Sequence, residues 1–225
     1  MRAEEQVKAE AQVKAEAQAK AEEQILVVPR EALLPAPLVG FHPGDGAAYV
    51  ERVRRWGTYR RRGDVEEDPA LKQIIPYLIV RHRDRIFLFQ RLRSGAERRL
   101  HGLYSIGVGG HIARQDGGAG EEAATEAAAA DVLQAGWERE LQEELVVRPP
   151  WRARLLGVLN EEDTPVSRVH FGLVYLVEVE DPAVRVRETD RLSGRLATRE
   201  EVRAAYPAME TWSQRILDAV DPFTV

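Results

Sequence analysis

Apolar residues recur along the chain with two different periods, and the period predicts the element. Residues 74–81 and 86–92 are β-rich runs separated by the polar turn 82–85, which predicts a hairpin. Residues 104–112 (YSIGVGGHI) read as a further strand ending in a glycine-rich turn. Over 131–145 the spacing becomes helical. Trp137, Leu141 and Leu145 lie four apart and give one apolar face to pack on a sheet. Residues 151–159 and 168–179 predict two more strands, joined by an acidic turn at 160–164. Residues 192–197 predict a short strand, and 200–205 and 210–220 two closing helices. Strands mixed with a few helices predict an α/β sandwich on a mixed central sheet over residues 71–225.

Two segments precede this domain. Residues 1–24 run through VKAEAQ, VKAEAQ and AKAEEQ, starting at Val7, Val13 and Ala19. A six-residue period drifts around a helix and builds no apolar stripe, so a solvated, partly helical tail is expected rather than a coiled coil. Residues 25–70 form an N-terminal extension. It has an apolar, proline-punctuated stretch, the loop GFHPGDG, a candidate helix at 47–56 and a charged, irregular stretch at 60–69. It is expected to pack on the main domain or to be exchanged with it. Residues 113–130, almost entirely Ala, Gly and Glu, read as a low-complexity insert.

Charge and composition narrow the function. A net charge of -5 argues against a protein devoted to nucleic acid. Positive charge is nevertheless clustered at Arg54, Arg55, Arg60, Arg61 and Arg62, and again at Arg91, Arg93, Arg98 and Arg99. Outside the tail the chain uses arginine, apart from Lys72. The absence of cysteine excludes disulfides, thiolate metal sites and a cysteine nucleophile. No stretch reaches the roughly 20 apolar residues of a membrane helix, and the N-terminus lacks the apolar core of a signal peptide. A soluble, cytoplasmic protein is expected.

The candidate chemistry lies on the helix. Glu140, Glu143 and Glu144 share one face three and four residues apart, where like charges destabilise a helix. Such a trio needs solvent, arginine partners or bound cations, and carboxylate oxygens are the natural ligands of magnesium. A solvated acidic face is the commoner origin of a charge run. The upstream element Ser105-Ile106-Gly107-Val108-Gly109-Gly110-His111 favours the cation, because paired glycines let the backbone come close to a ligand.

With Gly110 and the run Arg139, Glu140, Leu141, Gln142, Glu143, Glu144, the chain resembles the Nudix hydrolases, whose box reads G-x5-E-x7-R-E-U-x-E-E-x-G-U with U a bulky aliphatic. The flanking strands and the stretch ETWSQ at 210–214 are similar too, so the resemblance spans about residues 70–220. GVGGHI, with VHFG at 169–172, further resembles a little-characterised bacterial branch described as phosphoesterases. Three departures stand out. The insert takes the place of the short x5 loop; Asp131, or Glu126 if the alignment slips, stands for the first box glutamate; and Val146 replaces the closing glycine.

The resemblance implies a Nudix-like α/β/α sandwich that hydrolyses a pyrophosphate linkage in a nucleoside diphosphate derivative or related organic diphosphate. It implies a magnesium ion, with manganese as the alternative, held by Glu140, Glu143, Glu144 and the Gly110 carbonyl, with Arg139 orienting the carboxylates. The general base would be Glu140 or a member of the acidic turn Glu161, Glu162 and Asp163, of which Glu162 is the nominee. Arg91, Arg99, His111 and His170 are candidate substrate contacts, and Arg93, Arg98 and Tyr104 weaker ones. A homodimer is a further expectation, since dimers are frequent in the family. Two rivals share the fold. One is an isopentenyl-diphosphate-type isomerase, which needs the cysteine this chain lacks; the other is a sensor that binds nucleotides without cutting them.

Overall fold

The computed structural model describes residues 15, 18–92, 101–117, 126–187 and 189–225, with the backbone alone at 126–131. The extension supplies β1 (Gln24–Pro29), β2 (Gly40–Pro43) and β3 (Thr58–Arg61). The main domain supplies β4 (Leu71–His82), β5 (Arg85–Arg91), β6 (Tyr104–Ser105), β7 (Gly107–Val108), β8 (Leu145–Val146), β9 (Trp151–Asn160), β10 (His170–Val179), β11 (Arg185–Val186) and β12 (Leu192–Ala197). Helices follow as α1 (Arg30–Leu33), α2 (Gly46–Trp56), α3 (Arg62–Val65), α4 (Glu126–Glu144), α5 (Pro165–Val169), α6 (Arg199–Ala205) and α7 (Thr211–Ala219).

The main sheet runs β12-β5-β4-β10-β9-β2, with β8 and β11 paired separately. β10 lies parallel to β4, and the other ladders are antiparallel, so the sheet is mixed as expected. One edge of β4 is shared. β1 pairs with it up to Gln73 and β7 from Leu78, so the stretch between them is open on that side. Pro76, which has no N–H to give a ladder, falls in this gap. The glycine-rich turn crosses the sheet there.

Both faces are covered. Trp137, Leu141 and Leu145 pack with Leu78, Val80, Phe87, Phe89 and Val108 on one side. Full burial of each leucine contributes roughly 1.5–3 kcal/mol relative to exposure. On the other side Tyr77, Ile79, Ile106 and Val174 meet Val202, Trp212 and Ile216 from α6 and α7. The extension closes a third cluster, in which Leu26, Val28, Leu33, Tyr49 and Val53 pack on Ile74, Leu133 and Phe171. It packs on its own domain: β1 joins β4 and β2 joins β9.

Several boundaries differ from the expectations. The stretch 60–69 is not irregular but completes β3 and forms α3, because Arg60 and Arg61 pair across to β1. The expected strand at 104–112 is two dipeptides, since it changes partner from β5 to β4. Residues 165–168 belong to α5, opened by a capping box between Thr164 and Ser167, before β10 starts at His170. Helix α4 begins at Glu126, and residues 114–117 form a 3-10 turn, so the supposed insert contributes to structure at both ends. Its middle, 118–125, lies outside the described residues, as do the repeats of 1–14. The end of the tail docks: Arg61 pairs with Glu22 at 3.0 Å. Among the described residues no helix is long and apolar enough to cross a membrane.

Candidate active site

Two glycines place the turn. A Cβ on Gly109 would overlap the Pro76 carbonyl oxygen in the gap of β4. One on Gly110 would lie 2.5 Å from Glu140 Oε2. A side chain at 110 would oblige the Glu140 carboxylate to move, so glycine is what lets the two come this close. Glu140 is therefore not on a solvated face. It is 7% exposed, beside the buried Leu141, while Glu143 on the next turn keeps 57% of its side chain exposed.

Arg139 ties the pieces together. Its Nη1 donates to Glu140 Oε1 and to Glu143 Oε2, both at 2.8 Å. Its Nη2 donates to the His111 carbonyl at 2.7 Å. Its Nε and Nη2 grip Asp116 at 2.7 and 3.1 Å, and Asp116 also accepts from the Ala113 amide at 2.7 Å. Burial disfavours the guanidinium charge, but the bond to Asp116 and the charges of Glu140, Asp116 and Glu143 outweigh it and raise its pKa. Burial pushes Glu140 up to about 7. Arg139 opposes this, and the charges of Glu143 and Glu144 add to it.

A hard cation suits the chemistry of these donors, three carboxylates on one helix of which Glu140 is seated against the glycine turn. Among the described residues no three His, Asp or Glu side chains are drawn into one ligating cluster, because Arg139 stands between Glu140 and Glu143.

Beyond the turn lies a histidine pair. Gln73 Nε2 donates to the Val65 carbonyl at 3.1 Å, so its oxygen accepts, and His111 donates to it through Nε2–H at 2.6 Å. His170 donates through Nδ1–H to the Val166 carbonyl at 2.7 Å, and its Nε2 faces His111 Nε2 at 3.4 Å. Burial, then Arg62, His170, Lys20 and Arg139, holds the His111 pKa well below its ordinary value. His111 is neutral.

The acidic turn is spoken for. Glu162 accepts from Arg30 at 2.9 Å, Lys72 at 3.0 Å and Asn160 at 2.9 Å. Burial acts against its charge, but these three donors more than offset it, and its pKa is lowered. Glu161 is buried and bound by Thr211 at 2.9 Å and Arg215 at 3.2 Å, while Asp163 is exposed. Arg91 lies over the Phe89 ring, 5.8 Å from its centroid, and no contact joins it to Glu140 or the histidines among the described residues. Arg93, Arg98 and Arg99 lie outside the described residues.

The chain is 33% identical over 207 residues to protein YmaB of Bacillus subtilis (strain 168), covering 88% of this chain and 97% of YmaB. The crystal structure of Tm1382, described as a candidate Nudix hydrolase, superposes with a TM-score of 0.72 at 31% identity, covering 86% of this chain and 95% of Tm1382. No family model matches the chain. The chain belongs to the Nudix hydrolases.

With the family fixed, the geometry corrects the reading of the Nudix box. Counting forward from Gly110, the x5 spacing is intact and its next position is Asp116, the residue that grips Arg139. Asp116 thus fills the place offered to Asp131 or Glu126. The extra residues sit in the x7 segment, not in x5. Counting from the glycine rather than backwards from Arg139 finds this in the sequence. The missing glycine after the box is compensated from far along the chain. Arg187 N donates to the Glu144 carbonyl at 2.9 Å and its Nε to the Gln142 carbonyl at 2.7 Å, capping the last turn of α4. No local signal marks that residue.

ETWSQ has a structural task in this Nudix fold. Glu210 caps α7 through the amides of Trp212 and Ser213 and accepts the Tyr77 hydroxyl at 2.7 Å. Ser213 Oγ in turn accepts the Ile106 amide at 3.0 Å, which pins the strand leading into the glycine turn.

Proposed function

We propose that this Nudix hydrolase cleaves the pyrophosphate linkage of a nucleoside diphosphate derivative or a related organic diphosphate, with magnesium, or manganese in its place, as cofactor. The observation that carries the reading is the Glu140 carboxylate seated against Gly110 while Asp116 and the His111 carbonyl fix Arg139 beside it.

Glu140, Glu143, Glu144 and the Gly110 carbonyl would hold the ion, which when bound neutralises the two phosphates and orients water. Arg139 sets the directions of Glu140 and Glu143. We assign to Glu140 also the proton of the attacking water, because its carboxylate is seated against the turn at the reacting centre. Glu162 does not take that part, since three donors occupy its oxygens. His111 and His170 contact the substrate beside the turn, and Arg91 and Arg99 are proposed as phosphate contacts by virtue of the guanidinium fork.

The test is a panel of diphosphate-containing metabolites assayed with magnesium, using the parent and Glu143→Gln combined with Glu144→Gln. The parent should release phosphate-bearing fragments, and the double variant should lose roughly a thousandfold or more of the rate. Equal turnover by the two proteins removes these residues from the mechanism. Binding without turnover by the parent supports the sensor reading instead.

A further inference from the structure

The lysine repeat of the tail ends at Lys20, and the arginine cluster of the extension ends at Arg62. A chain of direct contacts brings both ends beside the glycine turn. His111, next to Gly110, donates to Gln73, and Gln73 donates to the carbonyl of Val65, the last residue of α3. Arg62 opens that helix. Its amide donates to the Glu23 carbonyl at 2.8 Å, and a Cβ on Gly63 would stand 3.2 Å from the Ala21 carbonyl oxygen. The helical residues 18–22 are therefore seated on α3. β1 follows them and binds the residues just past the turn: the Leu26 amide donates to the Ile112 carbonyl at 2.8 Å, and Ile25 bridges Ala113.

Positive charge follows the same path. Lys20 is exposed. The Arg62 side chain keeps 20% of its surface and has only loose ion pairs, with Glu66 at 3.5 Å and Glu23 at 4.0 Å. Of the other acids nearby, Glu22 and Asp64 are taken by Arg61. Arg62 and Lys20 are close enough to act on the His111 ring, and together with His170 and Arg139 they oppose its protonation. Gly109, Gly110, His111 and His170 are all partly exposed, so this field reaches solvent at the turn. A positive field over an accessible backbone turn draws an anion.

We infer that the end of the tail and the start of α3 form a cationic lip on the reacting centre, in which Lys20 and Arg62 bind the phosphates of the diphosphate substrate. The guanidinium fork of Arg62 suits two phosphate oxygens, and Lys20 adds a point charge. The box carboxylates can hold a diphosphate only through a cation, whereas the lip holds it directly. It selects by charge, favouring a diphosphate or a longer phosphate chain over a neutral ester. The inference rests on the proposed reading that Gly110 and Glu140 mark the reacting diphosphate, and it gives the N-terminal segment a part in binding it.

The test is calorimetric titration of methylene diphosphonate, a diphosphate analogue that resists hydrolysis, with magnesium, into the full chain. The proteins are the parent, Lys20→Gln, Lys20→Arg, Arg62→Gln and Arg152→Gln, each with a thermal melt. Lys20→Gln should weaken binding roughly fivefold and Arg62→Gln roughly tenfold, with Lys20→Arg near the parent and the gaps narrowing in high salt. Arg152, exposed at the end of β9 farthest from His170, reports any general effect of charge, and its variant should bind like the parent. The exposed Lys20 decides the matter if Arg62→Gln does not fold. Binding by Lys20→Gln within about twofold of the parent, an equal loss in Arg152→Gln, or no binding by the parent overturns the lip. Turnover by the parent and its loss in the Glu143/Glu144 double variant would leave the proposed reaction standing in that event.

Discussion

Two carboxylates in different parts of the fold have opposite surroundings, and these drive their pKa values apart. Glu140, on the box helix, is packed against Gly110 and has one cation, Arg139, which it shares with Glu143 and Asp116. Desolvation wins there and the carboxyl rises to about 7. Glu162, on the β9–α5 turn, receives three donors of its own and is held as an anion. The lesson is that a desolvated carboxylate is pushed toward its neutral form or held as an anion according to how many donors it keeps for itself.

The sharpest way to break the comparison is at the turn. Gly110→Ala forces a methyl group into the Glu140 carboxylate, so turnover should fall by about a hundredfold or more. A steady-state assay with folding checked by circular dichroism decides it, and near-parental rates would mean that the close approach is dispensable. Next comes Asp116→Asn, which weakens the grip on Arg139 but leaves the carboxylates in place. Losses of roughly 10–100-fold in activity are expected, as for residues that orient ligands. Unchanged activity would return the box position to Asp131 or Glu126.

The smallest effect is in stability, and it sharpens the contrast. Between the ordinary carboxyl pKa and about 7, the unfolded chain loses the Glu140 proton while the folded chain retains it. Stability therefore falls as pH rises through that window, by on the order of 3 kcal/mol, and the penalty is complete above it. In urea unfolding of the metal-free protein, Glu140→Gln should remove this decline. Glu162→Gln should act in the opposite window, removing stability that the parent has at neutral pH and loses as acid protonates Glu162. Parallel pH profiles for the two variants would sink the distinction.

Much of this was legible in the residues. Trp137, Leu141 and Leu145 announced the buried face of α4, because a helix side must bury what water rejects. The Gly110 and Arg139–Glu144 signature carried the family, because close backbone approach and clustered carboxylates each demand particular residue types. Asp116 was also written there, one count forward from Gly110, but the alanine-rich stretch drew the eye to Asp131. What the sequence could not determine was every partnership across long separations. Arg187 caps a helix 45 residues before it, and Arg30 reaches Glu162 across 132 residues. Nor could it reveal that Glu140 is buried while Glu143 is not, since both lie on the same helix face in any periodic reading. Burial and charge pairing are set by which surfaces meet when the extension and the sheet close together, and local periodicity holds no information about that meeting.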